Sequence, residues 1–283
     1  MDETPWPEQS WALAEDSIQF RLGDEIARGS SGAVYRAHLL AQEVAAKAHH
    51  ALLQPNLYNL GDSAHLQGVV DEIMKEIVPL RELQHRRIVS FIGVIYSQLP
   101  EELGGILAPK YLLLEWVGGG TLHDALYDGI EQRRRMPDEL VLRHAIELAE
   151  AVQYIHGQGF IHRDIKPKNI LLTDEGHIKL ADLGLAKFVN STQNTQRGTF
   201  LYMAAEVVTG EYSNNVDVLS MALVICEMAL REPPPERHSH RPDMVRRAGA
   251  LMPGLRHALS GGIAPMDSRM NAAQFHRALL EAR

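Results

Sequence analysis

The sequence predicts an α+β protein built as two lobes: a strand-rich N-terminal lobe, an antiparallel sheet plus one helix, and a mainly helical C-terminal lobe. Three observations predict it. Short strand-like runs fill most of the chain up to residue 117, the triple glycine Gly118-Gly119-Gly120 interrupts them, and beyond it apolar residues recur at helical spacing. With 283 residues, 45% of them hydrophobic and 23% charged, the chain is long enough to bury a sizeable core and close to the globular average. A net charge of −8 gives counterion-driven binding no global support, so no nucleic-acid partner is expected. Cys226, the one cysteine, cannot form an intramolecular disulfide, and the first residues MDETPWPEQS lack an apolar stretch; both fit a cytoplasmic setting. The longest apolar run, VDVLSMALVICEMAL from Val216 to Leu230, contains Asp217 and Glu227 and is too short to span a bilayer. It reads as a helix buried on all sides, and no membrane partner is expected.

The elements follow in order. Phe20 to Arg28 leads through a glycine turn into Ala33–Ala37, and Glu43–Lys47 follows a short polar turn, which makes an antiparallel meander. Val69, Val70, Ile73, Ile77 and Leu80 then repeat at helical spacing. Pro79 lies inside that pattern, and because proline in a helix interior costs about 3 kcal/mol, the helix is expected to kink or restart near Val78. Strand character returns at Ile88–Tyr96 and Tyr111–Val117. In the second lobe, Asp138 to His156 carries Val141, Ala145, Leu148, Ala149, Val152 and Ile155 on one helical face, opened by Pro137-Asp138 and stopped by Gly157. Residues 1–19 read as an N-terminal extension, 20–117 as the first lobe and 118–283 as the second, with a ligand cleft expected at the glycine-rich junction.

The most informative segment is Ile161-His162-Arg163-Asp164-Ile165-Lys166-Pro167-Lys168-Asn169. It resembles the catalytic loop of a eukaryotic-type protein kinase in its serine/threonine-directed form. The chemistry of the residues agrees: Asp164 is placed to accept or orient the proton of a substrate hydroxyl, Lys166 to stabilise the transferring phosphoryl group, and Asn169, five residues on, to reach a metal that neutralises phosphate charge. Asp182-Leu183-Gly184, after the strand-like Ile178–Ala181, is similar to the family's metal-binding motif, with leucine where phenylalanine is usual. The resemblance assigns Mg²⁺ (with Mn²⁺ as an alternative) to Asp182 and Asn169.

In the first lobe Ala27-Arg28-Gly29-Ser30-Ser31-Gly32-Ala33-Val34 is similar to the glycine-rich loop, with Ala27 replacing its first glycine. Val44-Ala45-Ala46-Lys47 resembles the third-strand lysine motif, which implies that Lys47 binds the α- and β-phosphates of ATP. Its acidic anchor is assigned to Glu76, nine residues before His85, with Glu72 one turn away as the competing acid. Lys47 and Glu76 lie 29 positions apart, more than is usual in such kinases, and HHALLQPNLYNLGDSAHLQG, within 48–68, reads as an added loop whose histidines lack metal-ligand spacing. For the adenine, the resemblance implies main-chain groups of Glu115 and Val117, Leu114 behind the ring, and Val34, Ala45 and Leu171 sandwiching it.

The segment from Asp182 to Gly198-Thr199-Phe200-Leu201-Tyr202-Met203-Ala204-Ala205-Glu206 is similar to an activation segment, with Ala205 in place of proline. Ser191, Thr192 and Thr195 on it are candidate targets of an upstream kinase, their phosphate recruiting Arg163. The resemblance also implies structural roles: Glu206 paired with Arg269, and Asp217 tethering the catalytic-loop backbone. Arg133-Arg134-Arg135 reads as a solvated loop. The group resembled is that of the tyrosine-kinase-like serine/threonine kinases, on HRRIVSFIGV and GGGTLHDAL. The expected function is therefore ATP-dependent transfer of the γ-phosphoryl group to serine or threonine of protein substrates. A pseudokinase that keeps the fold as a binding module is the alternative, given Ala27, Leu183, Ala205 and Pro79, and a kinase fold acting on a small molecule is the third reading.

Overall fold

The computed structural model describes residues 12–13, 18–28, 32–49, 63–98, 107–128, 135–183, 187–188, 200–210 and 212–283. The chain divides into two compact units, residues 1–84 with 89–116, and residues 85–88 with 117–283.

The first unit is a six-stranded sheet: β1 (Ala12–Leu13), β2 (Ile18–Arg28), β3 (Gly32–Leu39), β4 (Gln42–His49), β5 (Phe91–Gln98) and β6 (Leu107–Glu115), in the order β1-β5-β6-β4-β3-β2. All neighbours are antiparallel except the two-residue β1, which runs parallel to β5. In a strand alternate side chains take opposite faces, and the register sorts them cleanly. Ala37, Val44, Ala46 and Leu113 share one face and, with Ile95, form a fully buried cluster. Val34, Ala45, Lys47 and Leu114 share the other face and are only partly buried.

Among the described residues this unit has one helix, α1 (Ser63–Glu82). Its apolar positions Val70, Ile73, Met74, Ile77 and Leu80 are all buried, as the helical spacing requires. The expected break near Val78 is not there. The helix passes Pro79 as a single element, and the Leu83 N–H still donates to the Pro79 carbonyl at 3.0 Å. Pro79 removes its own N–H from the ladder without ending the element, and its ring is buried. The added loop is also shorter than expected at both ends, because residues 48–49 complete β4 and residues 63–68 are already helical; residues 50–62 lie outside the described residues.

The strand expected from Ile88 begins instead at Phe91. Residues 85–88 form a turn that belongs to the second unit for a chemical reason. His85 stacks on Tyr154 with ring centroids 4.8 Å apart, Arg86 pairs with Glu150 at 2.8 Å and Arg87 with the buried Glu147 at 2.9 Å. The Leu180 N–H donates to the Arg87 carbonyl at 2.8 Å, so the turn is stitched to main chain as well as to side chains.

The second unit is built on α2 (Leu122–Tyr127), α3 (Asp138–Gly157), α4 (Glu206–Thr209), α5 (Asn215–Leu230), α6 (Arg241–Leu251), α7 (Arg256–Gly262) and α8 (Ala272–Leu280). Thr121 and Asn271 each form a capping box that starts α2 and α8. α3 buries the apolar face read from its sequence, and α5 is buried from Val216 to Ala229. Two short ribbons accompany the helices, β8 (Ile170–Leu172) with β9 (Ile178–Leu180), and β7 (Phe160–Ile161) with β10 (Lys187–Phe188). Among the described residues no helix is long and apolar enough to cross a membrane.

Candidate active site

The loop between β7 and β8 carries Asp164, Lys166 and Asn169, and its shape is set by a carboxylate buried beneath it. Asp217, fully buried in the first turn of α5, accepts the His162 N–H at its Oδ2 and the Arg163 N–H at its Oδ1, both at 2.8 Å. His156, at the end of α3, donates to the same Oδ2 at 2.8 Å. Burial alone pushes the Asp217 carboxyl up, but His156 and the His162 N–H outweigh it and hold the group below the usual aspartate value. With two main-chain amides held this way, Arg163 adopts φ 67°, a left-handed conformation that costs a non-glycine residue about 1–2 kcal/mol. Asp182 adopts φ 60°, so two of the four non-glycine positive-φ residues among the described ones lie in the two motifs assigned to phosphoryl chemistry.

His162, fully buried, bridges those motifs. Its Nδ1 accepts the Asp164 N–H at 3.3 Å and its Nε2–H donates to the Ala181 carbonyl at 3.0 Å, which sets its tautomer. The Ala181 N–H donates in turn to the Asn169 carbonyl at 2.8 Å, placing Asp182 one residue from a direct main-chain bond to Asn169. Leu183, the leucine in the place of phenylalanine, is buried and fills its slot.

The side chains converge on Asp164. Its Oδ2 accepts from Lys166 Nζ at 2.7 Å and from Asn169 Nδ2 at 2.9 Å, and Asn169 Nδ2 also donates to the Asp164 carbonyl at 2.8 Å. Both Asp164 and Asn169 are more than nine-tenths buried, where hydrogen bonds to a charged group are strong and the carboxylate is held in one orientation. With the Asn169 amide nitrogen committed to Asp164, its Oδ1 is the atom available to a cation. One amide oxygen with the Asp182 carboxylate suits Mg²⁺, which takes one or two protein ligands and completes its shell with phosphates and water. No group of three or more His, Cys, Asp or Glu able to hold a metal alone occurs among the described residues.

The junction at the triple glycine is set by close approach. The Gly119 N–H donates to the Leu172 carbonyl and the Leu172 N–H to the Gly120 carbonyl, both at 2.9 Å, and Thr121 bridges to Leu171. A Cβ on Gly119 would lie 2.5 Å from the Leu172 carbonyl oxygen, so only glycine fits. Leu171 is thereby fixed beside the chain that follows Val117.

The residues assigned to nucleotide in the first unit lie on adjoining strands. Val34 is opposite Lys47, and Ala45 opposite Leu114, on the partly buried face of the sheet. The Glu115 N–H donates to the Ser90 carbonyl at 2.9 Å and its carboxylate accepts the Ser90 N–H at 3.1 Å, so this residue closes the end of β6. Ala27, next to last in β2, pairs with Val34, and Gly32 opens β3; Gly29 and Ser30 lie outside the described residues, as do Ser191, Thr192 and Thr195. Glu76 lies on α1, but its side chain, like that of Glu72, is outside the described set.

Glu206 and Arg269 form a direct ion pair through Arg269 Nη1, with Arg269 also donating to the Ala264 carbonyl at 3.0 Å. Arg163 reaches the Tyr212 hydroxyl at 3.4 Å. Arg135, at the end of the arginine run, pairs with Asp138; residues 133–134 lie outside the described set. Three residues without a role assigned from the sequence matter here. His156 shares Asp217, Glu227 accepts the Tyr127 and Tyr202 hydroxyls at 2.6 and 2.7 Å, and Arg241 donates to main-chain carbonyls of the segment before Glu206. The acids inside an otherwise apolar helix were the available signal for the first two.

The chain is 31% identical over 250 residues to the probable serine/threonine-protein kinase kinY of Dictyostelium discoideum, covering 82% of this chain and 41% of that protein. It is 35% identical over 219 residues to the serine/threonine-protein kinase MST20 of Pyricularia oryzae, covering 76% and 21%, and 32% identical over 227 residues to the serine/threonine-protein kinase pak-1 of Caenorhabditis elegans, covering 79% and 35%. The chain thus spans 41% or less of the length of these relatives. The protein kinase domain model matches residues 20–259, a span holding every residue discussed above for phosphate, metal and base chemistry; with that match and the loop geometry around Asp164 in agreement, the chain belongs to the protein kinase domain family.

Proposed function

We propose that the chain is an ATP-dependent protein serine/threonine kinase, and the observation that carries this is the arrangement of Lys166 and Asn169 on one oxygen of the buried Asp164 carboxylate. Members of this family use ATP and Mg²⁺. In the proposed reaction the substrate hydroxyl oxygen forms a bond to the γ-phosphorus, the bond from that phosphorus to the β-bridging oxygen breaks, ADP leaves, and the hydroxyl proton passes to Asp164. Lys166 stands beside Asp164, where it offsets negative charge on the transferring group. Asn169 and Asp182 would hold Mg²⁺, which supplies charge neutralisation at the phosphate oxygens. From the first unit, Lys47, anchored by Glu76, and the main chain of Gly29, Ser30 and Gly32 would bind phosphates, with Glu115 and Val117 reading the adenine edge.

Ser or Thr as acceptor is supported by Lys166 and by the relatives' names. Phosphoamino-acid analysis of a labelled protein mixture tests it: phosphoserine or phosphothreonine is expected, and phosphotyrosine alone would overturn it. We also propose a cytoplasmic site of action and activation by phosphorylation at Ser191, Thr192 or Thr195. Phosphatase treatment is then expected to lower turnover, and unchanged turnover after complete dephosphorylation argues against that part.

A further inference from the structure

Arg241 opens α6, yet it is buried, with 4% of its surface exposed. A cation in the first turn opposes the helix dipole, and among the described residues it makes no ion pair. Burial pushes its pKa down to about 10, against the pull of Glu206 and with repulsion from Arg269. Nothing in the helix itself favours an arginine there. What it does touch is main chain: Nη1 donates to the Met203 carbonyl at 2.9 Å, and Nη2 to the Leu201 carbonyl at 2.8 Å and, at the long limit, to the Phe200 carbonyl at 3.5 Å.

The intervening carbonyl, that of Tyr202, accepts from Ser220 Oγ at 2.8 Å, and the Tyr202 hydroxyl is held by Glu227. Four consecutive carbonyls, 200 to 203, are therefore bound by two side chains. Two-thirds of hydrogen bonds in folded proteins are backbone to backbone, so a turn held mainly by side chains has a shape chosen independently of regular structure. That turn leaves Phe200 58% exposed, its ring stacked on His238 at 5.4 Å.

The turn and the catalytic loop are held by one surface. Ser220 and Glu227 project within about 80° of Asp217 around α5, given about 100° per residue. The same helix face thus fixes the main chain of His162 and Arg163 through Asp217 and the turn at 200–203 through Ser220 and Glu227. The turn is thus set by the same helix face as the loop of Asp164, and it presents an exposed aromatic ring.

We propose that Arg241 is a positioning residue for the protein substrate, acting by holding the turn at Phe200–Met203; the inference rests on the kinase reading above. It does not touch ATP or the reacting atoms. The test is steady-state kinetics with dephosphorylated casein and a degenerate Ser/Thr peptide mixture as probes, on wild type, Arg241→Gln, Arg241→Lys and Ser220→Ala. Losing one charge-assisted bond is worth about tenfold, so Arg241→Gln is expected to raise KM for the protein substrate about tenfold with KM for ATP within about twofold of wild type. Arg241→Lys, which keeps the charge and loses the fork, falls between, and Ser220→Ala shifts KM in the same direction. Should Arg241→Gln not fold, those two variants decide. Unchanged KM for the protein substrate alongside a lower Tm or kcat makes Arg241 merely structural and overturns the proposal. A wild type that labels neither probe overturns the kinase reading and the proposal with it, whereas labelling by wild type with unaltered variants overturns the proposal alone.

Discussion

Asp217 and Glu227 lie on one buried helix and are held in opposite ways. The Asp217 carboxyl, although burial pushes it up, is held below its usual value by His156 and the catalytic-loop amides, whereas burial pushes the Glu227 carboxyl up more than its two tyrosine donors pull it down. The sign follows for each. A depressed carboxyl stabilises the fold above its unfolded pKa and loses that contribution as pH falls through the folded value; a raised one contributes below its unfolded pKa and loses it as pH rises. Acid unfolding below the usual aspartate value of 3.8 is therefore expected to carry an Asp217 component. Asp217→Asn should be less stable near neutrality and show a shallower loss of stability in that acid range, measured by denaturant melts across pH; an unchanged acid slope would remove Asp217 from the account. Breaking Glu206–Arg269 from the acid side leaves the buried Arg269 guanidinium without its carboxylate, so Glu206→Gln is expected to cost about 3–5 kcal/mol in the same melts. A cost under about 1 kcal/mol would place that pair with ordinary surface ion pairs.

At the scale of elements, close main-chain approach decides what a position tolerates. Gly119→Ala drives a Cβ against the Leu172 carbonyl and is expected to cost about 2–3 kcal/mol, with transfer activity falling because β8 carries the strand that follows Asn169. Gly157→Ala meets nothing within 4 Å and should change stability by less than about 1 kcal/mol. Equal effects of the two would contradict the packing argument. The buried helix at 215–230 and the face of α3 were legible because burial on all sides and burial on one side leave different apolar patterns. The course of α1 past Pro79 was not, since the local cost of proline predicts a break, whereas the buried Ile77 and Leu80 on either side pack the helix through it. The start of β5 at Phe91 was also hidden: Ile88 and Val89 look like strand residues, and only Glu147 and Glu150, far along the chain, explain why His85–Ile88 turns away.

For the molecule as a whole, nine residues from Ile161 to Asn169 were enough to read the family, because the local spacing that brings Lys166 and Asn169 onto Asp164 is kept in the loop. The residues that hold the loop and the turn at 200–203 were less visible, because His156, Ser220, Glu227 and Arg241 act across distances in sequence that no local pattern encodes. Composition narrowed the class, and with a net charge of −8 any phosphate binding would fall to local groups such as Lys47 and Lys166. We propose that Asp164 takes the hydroxyl proton in phosphoryl transfer. The most direct test is transfer of radiolabelled γ-phosphate from ATP to a protein substrate by wild type and Asp164→Asn, with equal melting temperatures as the control for folding. Removal of a general base predicts a loss of about 10²–10⁴-fold in kcat for Asp164→Asn; equal labelling by the two proteins would contradict the account.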